Sequence, residues 1–209
     1  MSEPLETTRG RTRWRRFAAL TLPAVAAVGF VVFGMSSGAI AASFAVSGQT
    51  FKVSADKLVG DGFVQYGSIV QDGKGNQHPV AVSGINRATL TNLCQSVRVP
   101  GMPVVLTINA GGNGKPARAT NMLIDMTELQ GDATFTNIEI GRDAGTLNKA
   151  NSKGQAGSFG QQADRVVITG LKQTAWSTSA GTFTLNGLRL KVNVGADAKE
   201  CFGDDQQQP

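Results

Sequence analysis

Apolar residues recur with a two-residue period in several short stretches after residue 42, a pattern that predicts β-strands rather than helices. Met122, Ile124 and Met126 occupy every second position of one stretch. The runs VVLTI (104–108) and VVIT (166–169) are rich in β-branched residues, and the first ends in the loop composition AGGNGKP. The pattern therefore predicts an all-β body.

The segment GTFTLNGLRLKVNV (181–194) gives the clearest single prediction, a β-hairpin. Asn186-Gly187 is a dipeptide typical of two-residue hairpin turns. In that register Leu185 would face Leu188 and Phe183 would face Leu190, so one face of the hairpin would carry four apolar side chains. This hairpin favours an antiparallel sheet.

Weak internal repeats also run through the body. VSADKLVGDG (53–62), IDMTELQGDA (124–133) and VVITGLKQTA (166–175) align without gaps, and the short motifs LTNL (90–93), FTNI (135–138) and LNGL (185–188) resemble one another. The spacings are unequal, which excludes a regular solenoid. We predict an antiparallel sandwich or a curled barrel-like sheet, with an irregular parallel β-helix as the alternative.

The first 41 residues have the order of a secretory signal: a basic region, an apolar region and small residues before a cleavage site. The basic region (1–16) is followed by the hydrophobic signal or anchor segment (17–41), and cleavage after Ala39-Ile40-Ala41 would make Ala42 the new N-terminus. We favour cleavage, and a retained membrane anchor is the alternative. The basic side would stay cytoplasmic, oriented by Arg9, Arg11, Arg13, Arg15 and Arg16.

This order divides the chain into the two N-terminal segments, an exported β domain (42–202) and a polar disordered tail (203–209). Both cysteines, Cys94 and Cys201, lie in the exported part. In an oxidising compartment an even pair is most simply one disulfide, and two separate buried thiols are the alternative. We expect an extracellular or cell-envelope location, with the membrane as a transient or lasting partner.

Charge and composition exclude several classes of function. The chain carries a net +5, but five of its 20 Lys and Arg residues lie in the first 16 positions, and the others are dispersed without interleaved aromatics. We therefore expect no nucleic-acid partner. One His and two Cys cannot supply the four or so ligands of a Cys/His zinc site, and we predict neither a metal nor a cofactor.

Candidate catalytic groups are sparse. Ser158 lies in AGSFG, a degenerate form of the nucleophile elbow, but a polar loop precedes it instead of a strand. The single histidine, His78, lies in a turn composition before Pro79, and the Gly-Asp pairs at 60–61 and 131–132 have the composition of turns. We assign no catalytic residue.

Several blocks carry a resemblance to a known family. They are GAIAASFAVSGQTFKVSADKLVGDGFVQYG, NLCQSVRVPG, LIDMTELQGDATFTNIEIGRDA, GSFGQQAD and the ending KECF. From about Phe17 to Phe202 the chain resembles a family of exported actinobacterial proteins of unknown function. Some relatives carry the label cholesterol esterase, and the resemblance transfers no catalytic residue.

Three functions follow from these patterns. The first, which we favour, is a non-catalytic envelope or secreted protein that binds a lipid-like ligand or a membrane-protein partner through its β domain. Its cavity could be lined by Met102, Met122 and Met126, although filling an ordinary core is the simpler role for methionines. The second is a structural surface or assembly protein. The third is a serine esterase that uses Ser158.

Overall fold

The computed structural model describes residues 47–195 and 197–203, and almost all of them form strands or the turns between strands. The predicted signal, its cleavage site and its five arginines lie outside these residues. The strands, in chain order, are β1 (Phe51–Gln71), β2 (Gln77–Thr91), β3 (Leu93–Arg98), β4 (Val104–Ala110), β5 (Ala117–Thr136), β6 (Glu139–Asp143), β7 (Phe159–Ser179), β8 (Thr182–Thr184) and β9 (Arg189–Val194).

Four long strands close into a ring. β1 pairs with β2 along one edge and with β7 along the other, while β5 joins β2 to β7. Every pairing among the described strands is antiparallel. The all-β, antiparallel prediction is therefore confirmed, in its curled form, and the parallel β-helix alternative is wrong.

A three-stranded extension leaves the ring at the start of β1. Residues Lys52–Ser54 of β1 pair with Cys94–Ser96 of β3, which continues the line of β2. β4 pairs with β3, and β9 pairs with the outer edge of β4. The sheet therefore runs from β6 at one end to β9 at the other.

The predicted hairpin around Asn186-Gly187 is wrong. The two residues do form a turn, in which the Leu188 N–H donates to the Leu185 carbonyl at 3.3 Å. However, β8 pairs with β5 and β9 pairs with β4, so Phe183 does not face Leu190.

The backbone of this turn explains the error. A type I′ hairpin turn needs positive φ at both central residues, and here only Gly187 has it, at 68°. A turn with positive φ at its second central residue alone splays the flanking strands instead of pairing them. The Asn186 side chain also donates to the Pro116 carbonyl at 2.9 Å, which holds the turn against the β4–β5 connection.

The internal repeat corresponds to an approximate twofold relation between β1–β2–β3 and β7–β5–β6. Lys57 of β1 pairs with Thr91 of β2, and in the equivalent position Arg165 of β7 pairs with Thr136 of β5. The relation aligns VSADKLVGDG (53–62) with QQADRVVITG (161–170). The sequence had predicted an alignment of 53–62 with 166–175, which is five residues too far along the chain. The strand equivalent to β1 comes last in the second half instead of first, so the repeat has no constant spacing in the sequence.

The motifs LTNL and FTNI occupy equivalent positions in the two halves, where β2 meets β3 and β5 meets β6. Asn92 and Asn137 follow β2 and β5 with φ of 50° and 52°. Each side-chain amide donates to an aspartate of the neighbouring long strand, Asn92 to Asp56 and Asn137 to Asp164. Each asparagine interrupts its strand without a register shift, since β3 continues the pairing of β2 with β1 and β6 continues that of β5 with β7.

The main hydrophobic core fills the inside of the ring, and seven of its 19 buried residues are alanines. A smaller cluster lies on the outside, where Ala144, Leu147 and Ala150 of the β6–β7 connection pack against Val64 and Tyr66 of β1. The connection therefore covers one stretch of the outer wall of the ring.

The left-handed backbone at Asn137 gives a stability prediction. Replacing Asn137 with Ala should lower the free energy of unfolding by about 1–2 kcal/mol, because a Cβ without a local hydrogen bond is unfavourable at positive φ. Asn137→Gly should cost less, since glycine adopts this conformation freely. Urea unfolding of the two variants measures the difference. Equal losses of unfolding free energy in the two variants would show that asparagine is required for its hydrogen bond to Asp164 and not for the backbone conformation.

Candidate functional site: an outer apolar face on β3, β4 and β9

One face of the three-stranded extension is apolar and open to solvent. The register places Val104 beside Val194, Leu106 beside Val192 and Ile108 beside Leu190. Leu190, Val192 and Val194 are 58%, 56% and 73% exposed. We call this surface the outer face, and it consists of Val97, Val104, Leu106, Ile108, Leu190, Val192 and Val194.

The opposite face of the extension is covered by the end of the chain. Cys201 lies at disulfide distance from Cys94, with their Cα atoms 5.8 Å apart, and its N–H donates to the buried Ser96 hydroxyl. Nearby, the Lys52 ammonium forms a 3.2 Å ion pair with Glu200. Beneath this cover Val105 is fully buried.

β4 therefore has the composition of a strand that is buried on both sides. Its sequence VVLTINA is apolar on both faces, as in strands that lie between two layers. Val105 is buried by the chain end, whereas Leu106 and Ile108 are only half-buried. A contiguous exposed apolar patch of this kind marks interaction surfaces in soluble proteins.

The inside of the ring is filled. Its cavity, lined by residues such as Leu90, Met122 and Leu171, has a volume of about 20 Å³, which is close to the space of one water molecule. Sites for small organic ligands occupy roughly 300–1,000 Å³. Met122 and Met126 are core residues, while Met102 is exposed in the β3–β4 turn.

The structure does not bring Ser158 and His78 together as a nucleophile and its base. The Ser158 hydroxyl donates to the carbonyl oxygen of Gln155 in the same loop. The His78 ring stacks on Trp176, with ring centroids 3.9 Å apart, and its Nε2 lies 3.3 Å from Asp72 Oδ2. A general base must reach the proton that it removes, and this pair has no such contact among the described residues.

Asp72 organises the tip of the β1–β2 hairpin. Its carboxylate accepts hydrogen bonds from the Asn76 side chain and from the backbone N–H groups of Asn76 and Lys74. These bonds, that from the Asn76 side chain above all, hold the pKa of Asp72 well below its usual value of 3.8. The segment DGKGN is thus a polar hairpin tip.

The remaining candidates also have structural roles. The Gly-Asp pairs at 60–61 and 131–132 lie inside β1 and β5, so their interpretation as turns is wrong. The second pair is at a bulge, where Gly131 has a φ of 143°. Asp61 contacts Arg165 at 3.2 Å and Arg87 at 3.9 Å. In the part of the chain that the structure describes, no cluster of His, Cys, Asp and Glu could hold a metal ion.

The outer face was missed in the sequence because its residues were assigned to the wrong partner. Leu190 was predicted to face Phe183 within a hairpin, so its row of apolar residues was not expected beside β4. The signal was present, since Leu190, Val192 and Val194 alternate with Arg189, Lys191 and Asn193. Only the pairing of β9 with β4 shows that this row adds to the apolar row of β4.

The fold and surface define a small closed antiparallel β domain with an apolar flank. Among residues 47–195 and 197–203, no helix is long and apolar enough to cross a membrane. The chain belongs to a family of unknown function, DUF6230, which matches residues 47–202. No curated protein and no solved structure shows significant similarity to it.

The hydrogen bonds of Asp72 predict an acid-dependent stability. Because its folded pKa lies below 3.8, the carboxylate stabilises the fold fully above that pH, and the contribution is lost as the pH falls through the folded value. We expect Asp72→Asn to lower the free energy of unfolding at pH 6, and the gap to the wild type to shrink below pH 3.8.

Chemical denaturation between pH 2 and pH 7 measures this gap, with Asp197→Asn at an exposed position as the control. A gap that stays constant down to pH 2 would contradict the role of the ionised carboxylate.

Proposed function

We propose that the protein is an exported, non-catalytic protein of the cell envelope that binds a partner through the outer face. The observation that carries the proposal is the open apolar surface formed by β4 and β9, opposite a face that the chain end already covers. Burial of such a surface is the main favourable term in protein association.

A partner on the outer face is better supported than a ligand inside the ring. The 20 Å³ cavity could not hold an acyl chain without displacing core side chains such as Met122. The exposed side chains of β9, by contrast, need no rearrangement to be covered. A lipid-like ligand is therefore proposed only as a molecule that lies on the outer face.

Export is part of the proposal and rests on the N-terminal sequence. The basic region, the apolar segment 17–41 and the small residues before Ala42 support passage across a membrane. The cysteine pair at disulfide distance agrees with an oxidising destination. We propose an extracellular or envelope location, with the membrane as a transient or lasting neighbour and no nucleic-acid partner.

The outer face can be tested by photo-crosslinking in the cells that make the protein. A photoreactive amino acid at Val194 should give crosslinked products that mass spectrometry identifies, because this side chain would be covered in the complex. The matched control is Ile69, which is 62% exposed on the β1–β2 hairpin and should give none. Absence of products from Val194 would overturn the proposed function.

The esterase alternative can be tested separately. Since the Ser158 hydroxyl donates to the Gln155 carbonyl and, among the described residues, makes no hydrogen bond to a base, we expect no hydrolysis that depends on Ser158. A chromogenic ester is assayed with the wild type and Ser158→Ala. Activity that the substitution abolishes would establish an esterase and contradict a non-catalytic protein.

A further inference from the structure

In the described part of the chain the outer edge of β9 is unpaired, and Asp197, Ala198 and Lys199 line a concavity beside it. Among the described residues no strand pairs with this edge, so its backbone N–H and C=O groups can accept another strand. Its pairing with β4 runs without a register shift, and its sequence, RLKVNV, contains neither proline nor glycine. Of the features that protect such edges, β9 has a lysine, Lys191, but neither a bulge nor a proline.

The edge strand at the other end of the sheet, β6, is protected against pairing. β6 has a register shift between Ile140 and Arg142, where Gly141 has a φ of 83°. Arg142 and Glu139 form a 2.8 Å ion pair on this short strand. β6 is thus bulged, whereas β9 is straight and carries an apolar row beside Arg189 and Lys191.

We propose that β9 pairs antiparallel with β9 of a second copy of this chain, on a twofold axis that passes through Val192. This inference rests on the proposed function, because it joins the outer faces of two copies side by side at their β9 edges. The proposal is based on two features of the same strand: β9 has an edge that is unpaired among the described strands and an exposed row of apolar side chains. Such an interface is isologous, so each copy contributes the same surface.

The sequence of β9 is complementary to itself in this register. Around Val192, Leu190 lies opposite Val194 of the other copy, and Lys191 lies opposite Asn193. No charged side chain then lies opposite a side chain of the same charge. The apolar rows of both copies lie on one side of the joined sheet.

Neighbouring registers are worse. An axis through Lys191 would place two ammonium groups directly opposite each other, and like charges at opposed positions destabilise a strand pair. An axis between Lys191 and Val192 would put the apolar row of one copy on the same side as the charged row of the other. Self-complementarity of this kind favours a second copy over an unrelated strand.

Sedimentation analysis of the exported protein, expressed from the full chain, tests the association. We expect a reversible dimer, and Val192→Lys should be monomeric at the same concentrations because it places two lysines in contact on the axis. Ile69→Lys, on an equally exposed apolar residue away from β9, should remain dimeric. Circular dichroism of the variants confirms that each is folded. A wild type that is monomeric throughout, or that forms open-ended oligomers, would overturn the proposal.

The register has its own test. In the proposed pair the two Val192 Cβ atoms lie about 4.5–5.5 Å apart, so Val192→Cys should form an intermolecular disulfide under mild oxidation. Leu190→Cys should not, because the two copies of residue 190 are about 14 Å apart along the strands. Efficient crosslinking of Leu190→Cys with none from Val192→Cys would overturn this register.

The failures of the two proposals can be told apart. If the protein is monomeric but Val194 crosslinks to a different molecule in cells, the self-pairing is wrong and the proposed function stands. If Val194 gives no crosslinks at all, the proposed function is wrong as well as the self-pairing.

Discussion

The pairing of β1 with β7 is the constraint on which the rest of the structure depends. It joins the ends of a sheet that would otherwise stay open, from Phe51 opposite Ala175 to Tyr66 opposite Gly160. Both edges of β1 are thereby occupied, and β1 serves as the common wall of the ring and of the extension. Without this pairing the apolar faces of β2 and β5 would lie in water.

A ring of four strands has little space inside. Because the diameter of a closed sheet grows with the number of its strands, and about eight are needed to enclose a small ligand, four can enclose only their own side chains. The alanines at positions such as Ala55, Ala119 and Ala163 fit this narrow interior. A surface for binding must therefore lie outside the ring, where the extension provides it.

Much of the fold could be predicted from local pattern, and the site could not. The β-branched runs and the alternation at Met122 to Met126 indicated strands, and the structure has strands there. The motifs LTNL and FTNI indicated a repeat, but its spacing is not constant because the strand equivalent to β1 comes last in the second half. These features are local, and local propensity determines them.

The pairing of β9 depends on contacts far from it in sequence. Asn186-Gly187 is a hairpin signal only if both residues adopt positive φ, and the contact of Asn186 with Pro116 belongs to a different turn. The segment alone therefore predicted Phe183, and not Ile108, as the partner of Leu190. The outer face follows only from tertiary pairing, which no window of residues contains.

The most direct test of the account is whether an apolar ligand enters the ring. The β domain has three methionines, of which Met122 and Met126 are buried in the ring while Met102 is 54% exposed. Methionine-methyl NMR of the exported protein, titrated with a medium-chain fatty acid below its micelle concentration, reports on each. The account predicts that the Met122 and Met126 signals stay unchanged. Saturable shifts of these two signals would contradict it, because they would place the ligand inside the ring.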